Sequence, residues 1–436
     1  MSITYYFISD LHIGGDEALG VCDYETELIA FLEMLAALQE EVELLIIGDI
    51  FGLWEFTDIE GLGKLKAVMD QFPSIFKALQ KTGKTVKITM LPGNHDYEIA
   101  CYPEFVEMLK PYNIHLEQTP AITREINGRR IWIEHGNQYD AFNHMPDFGN
   151  PHAQPVGYFI TSSVVSTAGK HSKFGKFNWL KDIQSVYPSE QIPYWVLSNY
   201  FYHEMSPLLR YLVLPFLLLS GLEIFVLGGA ALEWFGKTDT NIFLNNRVFS
   251  SLGLVGNLVQ MILIANTVLF VSFVVLAVPL YLIWRDFRAT LQRFRIVLDP
   301  SELSSEKEQN YLDAAKAVFD RDPDTRIFIY GHTHLPSLRR FGDRVVINTG
   351  TWLKRLNDVR TRIGFLPKVY APFFCLNYFR ISETDGKIVI DYHKIDKAPP
   401  QDLSLLQRLL ILRKRRLTPD SIPERTLLEA NSQPMK

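Results

Sequence analysis

Short apolar runs that end in polar clusters recur along the first third of the chain. TYYFISD, VELLIIGD, KTVKITMLPGNHD and RRIWIEHG each read as a strand buried on both faces, because helices on either side of a sheet remove the alternation of apolar and polar residues. Between the first two lies ETELIAFLEMLAALQ, whose apolar residues recur at helical spacing and predict a helix with one buried face. After residue 300 the pattern returns. EKEQNYLDAAKAVFD predicts a helix, RIFIYGH and RVVINTG predict strands, and FRISETDGKIVIDYHK predicts a hairpin closed by its Asp-Gly turn. Strands alternating with helices predict an α/β fold. Met1–Asp10 belongs to that pattern. No basic segment leads into a long apolar one there, so it is read as the first strand and not as a secretory signal.

The middle of the chain breaks the pattern. Val248 to Trp284 carries no charged residue, a run of about 37 residues or roughly 55 Å of helix. Tyr211 to Leu232 is a second apolar run with a single acid, Glu223. About 20 apolar residues cross a bilayer core. Two transmembrane helices are therefore expected, near 211–232 and 258–284, with part of 248–257 in the interface. An acid in lipid costs a few kcal/mol, so Glu223 is expected to face the partner helix at Asn257 or Asn266, or a wet groove. Lys170, Lys173, Lys176, Lys181 and Arg210 precede the first span and Arg285, Arg288, Arg293 and Arg295 follow the second. The connecting loop holds only Lys237 and Arg247. By the positive-inside rule both flanks, and with them both termini, are expected in the cytoplasm. The expected organisation is 1–150 as the first part of an α/β domain, 151–298 as a helical, aromatic-rich, cap-like insertion carrying the two spans, 299–396 as the second part, and 397–436 as an amphipathic, basic tail.

Composition narrows the classes. With 47% hydrophobic and 13% aromatic residues the chain is not disordered. A net charge of −5 supplies no basic field, and no nucleic-acid partner is expected. Cys22, Cys101 and Cys375 form no CxxC and are read as small buried apolar residues in a reducing compartment.

The polar clusters carry the chemistry. Asp10 and His12 lie in ISDLHIGG, Asp49 in LLIIGDIF, Asn94, His95 and Asp96 in LPGNHDYE, His135 in WIEHGNQ, and His332 and His334 in YGHTHLP. Each follows a predicted strand, and in α/β sheets ligands gather at the carboxyl ends of strands. A DxH or a GD alone is ordinarily a turn or a cap. Five such clusters in this order, rich in Asp, Asn and His and without a thiolate, form the donor set of a divalent-metal site. There are enough donors for two ions, and paired ions 3.5–4 Å apart clamp a phosphoryl group and activate a hydroxide. The ligands are split by the insertion, so an even number of spans is required to bring them to one side of a membrane.

The ordered set D-x-H, GD, GNHD, HG and GHTH resembles the calcineurin-like binuclear metallophosphoesterases over about 1–150 and 300–355. The resemblance implies a four-layer α/β/β/α metallophosphoesterase sandwich, here with an inserted helical cap and transmembrane hairpin. It implies Asp10, His12 and His334 as ligands of one metal, Asn94, His135 and His332 of the other, and Asp49 as the bridging carboxylate. His95 matches the catalytic histidine that assists the leaving oxygen, and Asp96 beside it is a candidate to orient it or to hold structure. The implied cofactors are two divalent ions, Mn²⁺ first, with Fe or Zn²⁺ as alternatives. Within the family, GDIFGLWEF, the cap-like insertion and the membrane association are most similar to the UDP-2,3-diacylglucosamine diphosphatase group. The chain departs from that group at His95, where its members carry Arg, in reading VVINTGTW after GHTH, and in its two-span insertion. The expected activity is hydrolysis of a phosphoester or pyrophosphate of a lipid-linked substrate at the cytoplasmic face, with membrane lipid as the other partner. The alternatives are a membrane-anchored phosphatase or phosphodiesterase of a soluble or protein substrate, and a non-catalytic membrane scaffold. The aromatic segment around Tyr158, Phe159, Trp179, Trp195 and Tyr200 is read either as a seat for the substrate's apolar part or as interfacial packing. The sequence leaves the oligomeric state open.

Overall fold

A computed structural model describes residues 3–16, 19–20, 22–166, 179–186, 191–238, 242–243, 247–293, 300–362, 366–400, 402–411 and 422–429. Its strands are β1 (Thr4–Ile8), β2 (Val42–Ile47), β3 (Lys87–Leu91), β4 (Ile114–Leu116), β5 (Ala121–Ile126), β6 (Arg129–Glu134), β7 (Thr325–Tyr330), β8 (Ser337–Phe341), β9 (Arg344–Asn348), β10 (Arg355–Val359), β11 (Val369–Phe373), β12 (Leu376–Thr384), β13 (Lys387–Ile395) and β14 (Arg425–Glu429). They form a seven-stranded sheet in the order β14-β13-β12-β1-β2-β3-β4, a five-stranded sheet in the order β5-β6-β7-β9-β8, and a separate β10-β11 pair. β1 to β4 run parallel to one another, as do β6, β7 and β9, while β12 pairs antiparallel with β1.

Strand parity explains the layers. Tyr5 and Phe7 of β1, Leu45 and Ile47 of β2, Ile131 and Ile133 of β6, and Ile327 and Ile329 of β7 meet in a core between the two sheets. Their neighbours Tyr6, Ile8, Leu44 and Ile46 face the other way, under the helices Glu25–Ala36, Leu62–Gln71 and Pro73–Thr82. On the far side of the second sheet, Phe328 and Tyr330 pack against Tyr311, Ala315 and Phe319 of the helix Pro300–Arg321. Both faces of the central strands are thus buried, which is why their sequences read as unbroken apolar runs. The four-layer α/β/β/α sandwich is present. The β12–β13 hairpin turns on Asp385 and Gly386, both at positive φ, as the Asp-Gly signal predicts.

The chain forms two compact units, residues 1–203 with 300–436, and 204–299. The expected insertion began at 151, but 151–203 belongs with the α/β unit. The reason is apolar: Val165, Leu180, Val186 and Trp195 bury against Leu356 of β10 and Tyr370 of β11. Two further expectations differ. Among its described residues the tail 397–436 holds a six-residue helix, Leu405–Leu410, with a Ser404–Gln407 capping box, and the strand β14, which joins the first sheet. Period-two burial of Thr426 and Leu428 drives that pairing, and Arg425 bonds Asp391 at 2.7 Å. The basic run at 413–416 lies outside the described residues, as do Lys170, Lys173 and Lys176. All three cysteines are free, and they are half-buried, not fully buried.

The 204–299 unit contains the helices Pro207–Trp234, of 28 residues, and Gly253–Arg293, of 41 residues. Both are long and apolar enough to cross a bilayer. Only 12% and 11% of their most apolar stretches are buried, whereas a core helix of a soluble protein would be mostly covered. The second begins at Gly253, so 253–257 is part of the long helix, and Arg247–Ser250 forms a separate short one. Glu223 faces the partner helix as expected: the Asn266 side-chain amide donates to Glu223 Oε2 and to Ser220 Oγ, each at 3.0 Å. A polar group with a partner across the hairpin is far less costly in an apolar setting than one without.

Candidate metal centre

Every sequence-predicted site residue lies just beyond the carboxyl end of a strand. Asp10 and His12 follow β1, Asp49 follows β2, Asn94 to Asp96 follow β3, His135 follows β6, and His332 and His334 follow β7. β1, β2 and β3 come from one sheet and β6 and β7 from the other, so the clusters meet where the carboxyl edges of both sheets converge. The loops are bent sharply to do this. Asp10, His12, Asp49, His332 and His334 are five of the eight non-glycine residues at positive φ among the described residues. Left-handed backbone costs an L-residue about 1–2 kcal/mol, and such strain collects where geometry serves a site. Close approach also explains two motif glycines. A Cβ on Gly93 would overlap the backbone and carboxylate of Asp49, and one on Gly48 would overlap the His135 ring.

Two groups of side chains each bring their ligand-type atoms within 4.8 Å of one another: Asp10, His12, Asp49 and His334, and Asp49, His135 and His332. Asp49 belongs to both. In the first, His12 Nε2 lies 3.2 Å from His334 Nε2 and 3.6 Å from Asp49 Oδ2, and His334 Nε2 lies 3.3 Å from Asp10 Oδ1. In the second, His135 Nε2 lies 3.3 Å from Asp49 Oδ2 and 3.2 Å from Asn94 Oδ1.

This arrangement fits divalent cations. The His135 Nδ1–H donates to the Ile47 carbonyl at 2.9 Å, which turns Nε2 to the cluster, where it faces two acceptor oxygens. His334 Nδ1 donates to the Gln184 carbonyl at 3.3 Å, which turns its Nε2 to the cluster. His332 Nε2 donates to Asp140 Oδ2 at 3.2 Å, and its Nδ1 is buried with no hydrogen-bond partner. Each of these three imidazoles is oriented through one nitrogen and turns the other to the cluster, the pattern of metal-ligating histidines. The charges are strongly coupled. Burial, followed by His95, holds His12 well below its ordinary pKa, in the neutral form a ligand needs. Burial alone would raise Asp49, but the histidines outweigh it, His135 first, and hold the carboxyl well below the usual range. Burial would lower His135, but Asp49 outweighs it and pushes the imidazole up to about 10.

His95 sits beside the cluster and not within either group. Its ring is 4.6 Å from that of His12 and 4.3 Å from that of Trp54. Its Nδ1 donates to Glu55 Oε1 at 3.0 Å. Burial opposes its protonation, yet Glu55 and then Asp49 raise its pKa. Sequence reasoning missed Glu55, which is 5% exposed. The signal was an acid inside the apolar run IFGLWEF. Gln184, from the segment packed on β10 and β11, bonds the same Glu55 carboxylate. Glu55, His95 and His12 also bring ligand-type atoms within 4.8 Å of one another, but the facing atoms of Glu55 and His95 already bond each other.

Asp96 does not reach His95. Its Oδ1 accepts from the Gly93 amide at 2.6 Å, and its Oδ2 from the amides of Ile50 and Phe51 at 2.7 and 3.2 Å. It ties the loop after β3 to the loop after β2. Burial and then Asp49 push its pKa up to about 7. At pH 8, where the carboxylate is ionised, Asp96→Asn should destabilise the fold by about 2–4 kcal/mol, since an amide NH₂ would face backbone donors. A denaturant midpoint equal to wild type at unchanged m would show that the clasp contributes nothing.

The family model for calcineurin-like phosphoesterases matches residues 3–200. No curated protein matches the chain. Among solved structures, a conserved uncharacterised protein, a predicted phosphoesterase from Streptococcus pneumoniae TIGR4, is 9% identical, with 92% of this chain and 95% of that one covered and a TM-score of 0.28. Wild-type Vps29 complexed with zinc from Entamoeba histolytica is also 9% identical, with 90% and 92% covered and a TM-score of 0.28. Phosphopantetheinyl hydrolase from Mycobacterium tuberculosis is 12% identical, with 85% and 95% covered and a TM-score of 0.26. Overlaps this low carry no weight for fold or activity. The family match does carry weight: residues 3–200 match the calcineurin-like phosphoesterase domain, and the layered sandwich agrees with that match.

Proposed function

We propose that the chain is a membrane-anchored, binuclear-metal phosphoesterase that hydrolyses a phosphoester or pyrophosphate bond of a lipid-linked substrate, such as UDP-2,3-diacylglucosamine, at the cytoplasmic face. The observation that carries the reading is the convergence of Asp10, His12, Asp49, Asn94, His135, His332 and His334 from five strand ends of two sheets. Asp10, His12 and His334 would hold one ion, Asn94, His135 and His332 the other, and Asp49 both. Two such ions, Mn²⁺ with Fe or Zn²⁺ as alternatives, supply Lewis acidity to the phosphoryl oxygens and lower the pKa of water.

The chain's own residues do the rest. Glu55 fixes the His95 tautomer with the proton on Nδ1 and favours the imidazolium, so that Nε2 can deliver a proton to the departing oxygen. Trp54 packs on the His95 ring and keeps bulk water from it. Asp140, Gln184 and the Ile47 carbonyl hold the three histidine rings in place. Asp96 keeps the loops bearing Asp49 and His95 in register. The apolar helix pair supports the anchoring, and the Lys and Arg excess on its outer flanks supports a cytoplasmic site. The ligands before and after the insertion lie in one unit, which agrees with a chain that leaves and re-enters on one side of the membrane.

The test is hydrolysis by the full chain in detergent. Metal-free protein should be inactive on bis(p-nitrophenyl) phosphate and p-nitrophenyl phosphate, Mn²⁺ should restore turnover, and UDP-2,3-diacylglucosamine should release UMP. Activity indifferent to chelation would end the metal reading. Turnover confined to the generic esters would end the lipid-linked one.

A further inference from the structure

The pair of long apolar helices carries one acid at mid-depth that no step of the chemistry above uses. Glu223 lies near the middle of Pro207–Trp234, and Asn266 near the middle of the apolar stretch Gly253–Ile283. Ser220 precedes Glu223 by three residues and so shares its helix face. Ser220, Glu223 and Asn266 are each at most 5% exposed, on helices whose apolar stretches are otherwise mostly bare. An ionisable side chain at this depth is costly and marks a site where something is bound or moved.

The hairpin gives this carboxylate hydrogen bonds but no counter-charge. Asn266 Nδ2 spends its two hydrogens on Glu223 Oε2 and Ser220 Oγ, each at 3.0 Å, while Glu223 Oε1 is buried with no hydrogen-bond partner. The cationic residues stand at the ends of the two helices. Arg210 is about 20 Å from Glu223 along its own helix, and Arg285 about 28 Å from Asn266 along the other. Val248 to Trp284 carries no charged residue at all, and Glu223 is the only one from Tyr211 to Leu232. A lone carboxylate in an apolar setting demands a positive charge, and here it must come from outside the hairpin.

The surroundings decide among the positive groups. A proton on Oε1 would create an O–H donor with nothing to accept it, since no partner atom lies within reach of that oxygen. A divalent ion would replace one unpaired charge with the opposite one. A monovalent ion cancels the charge. The donors offered are a carboxylate, a hydroxyl and, after a half-turn of the Asn266 amide, a carbonyl oxygen, the all-oxygen set that hard cations take. Two of these oxygens lie 3.0 Å from the same Asn266 atom, a spacing that suits a small ion.

We propose that the hairpin holds one monovalent cation of sodium size between its helices, bound by the Glu223 carboxylate, Ser220 Oγ and Asn266 Oδ1. The ion neutralises the acid and ties the two helices together at mid-depth. The site is independent of the metal-ligand cluster and of the phosphoesterase reading.

The experiment uses the full chain in detergent, loaded with Mn²⁺ so that sodium does not compete for the metal-ligand cluster, and dialysed against radioactive sodium. Wild type should bind close to one ion per chain more than Glu223→Gln, which keeps an oxygen for Asn266 but loses the charge. Ser220→Ala should weaken that binding at least tenfold, and potassium should displace the ion at least tenfold less well than unlabelled sodium. Dicyclohexylcarbodiimide, which attacks protonated carboxyls, gives a second reading: sodium should slow its reaction at Glu223, located by peptide mass mapping, at least tenfold relative to choline. Sodium binding equal in wild type and Glu223→Gln would overturn the proposal. So would labelling of Glu223 that sodium does not slow, which would assign the place to a proton. Where no adduct forms in either salt, the dialysis decides.

Discussion

Asp49→Ala should reduce hydrolysis of bis(p-nitrophenyl) phosphate at saturating Mn²⁺ by about 10³-fold or more and leave the chain folded. Removing a group that only orients a ligand costs 10–100-fold. Asp49 does more, because it belongs to both groups of candidate ligands and its Oδ2 faces both His12 and His135. The fold should survive. The core between the sheets draws on strands of both sheets, from Phe7 of β1 and Ile47 of β2 to Ile329 of β7 and Ile390 of β13, and does not include Asp49. The structural losses are the acceptor for the His95 amide, bonded to Oδ1 at 2.7 Å and worth about 1 kcal/mol, and, in the metal-free chain, the charge that pairs with His135. Asp49→Asn offers an oxygen to that amide and separates the two losses. It should match Asp49→Ala in activity and melt above it, below wild type. Metal content by mass spectrometry, a thermal melt and the rate together decide. Wild-type turnover in a folded, metal-poor Asp49→Ala sample would defeat the two-metal mechanism.

The residues that could be read from sequence are those whose chemistry is announced by local pattern. A buried parallel strand must be apolar throughout, so a polar cluster at its end is conspicuous, and Asp10, Asp49, Asn94, His135 and His332 were visible for that reason. The residues that escaped act through contacts made by folding. Glu55 becomes the partner of His95 only when the loops after β2 and β3 lie side by side. Gln184 reaches Glu55 only because Trp195 and Val186 bury against β10 and β11. Asp96 was legible as a polar residue but not as a clasp, since its partners are backbone amides and have no sequence signature. The same limit explains the tail. Its LLQRLL helix was visible, but the period-two stretch of β14 is short, and only the open edge of β13 makes a strand of it. The apolar helices were the most legible feature, because a long uncharged run satisfies its own backbone hydrogen bonds and needs no tertiary partner to be recognised.

Metal-free and metal-loaded protein should respond oppositely to rising pH. In the metal-free chain His135 is held charged by Asp49, with its pKa raised from 6.5 to about 10. A group whose folded pKa lies above its unfolded value contributes stability that is complete below the unfolded pKa and is lost as pH rises through the folded one. The metal-free melting temperature should therefore fall between pH 6.5 and 10. Asp49, seen from the other side of the same interaction, adds the acid limb: its depressed pKa means stability lost only as pH falls below the usual carboxylate range. Loading with Mn²⁺ or Zn²⁺ requires the His135 Nε2 proton to leave, so affinity should rise by up to about tenfold per pH unit until that pKa is reached. The gap between the two melting temperatures should widen with pH across this window. Calorimetry in buffers of different ionisation enthalpy should find close to one proton released per His135 site filled near pH 7.5. His135→Gln should lose the release and flatten the metal-free limb. A gap that stays constant from pH 6.5 to 9 would show that His135 does not exchange its proton for a metal.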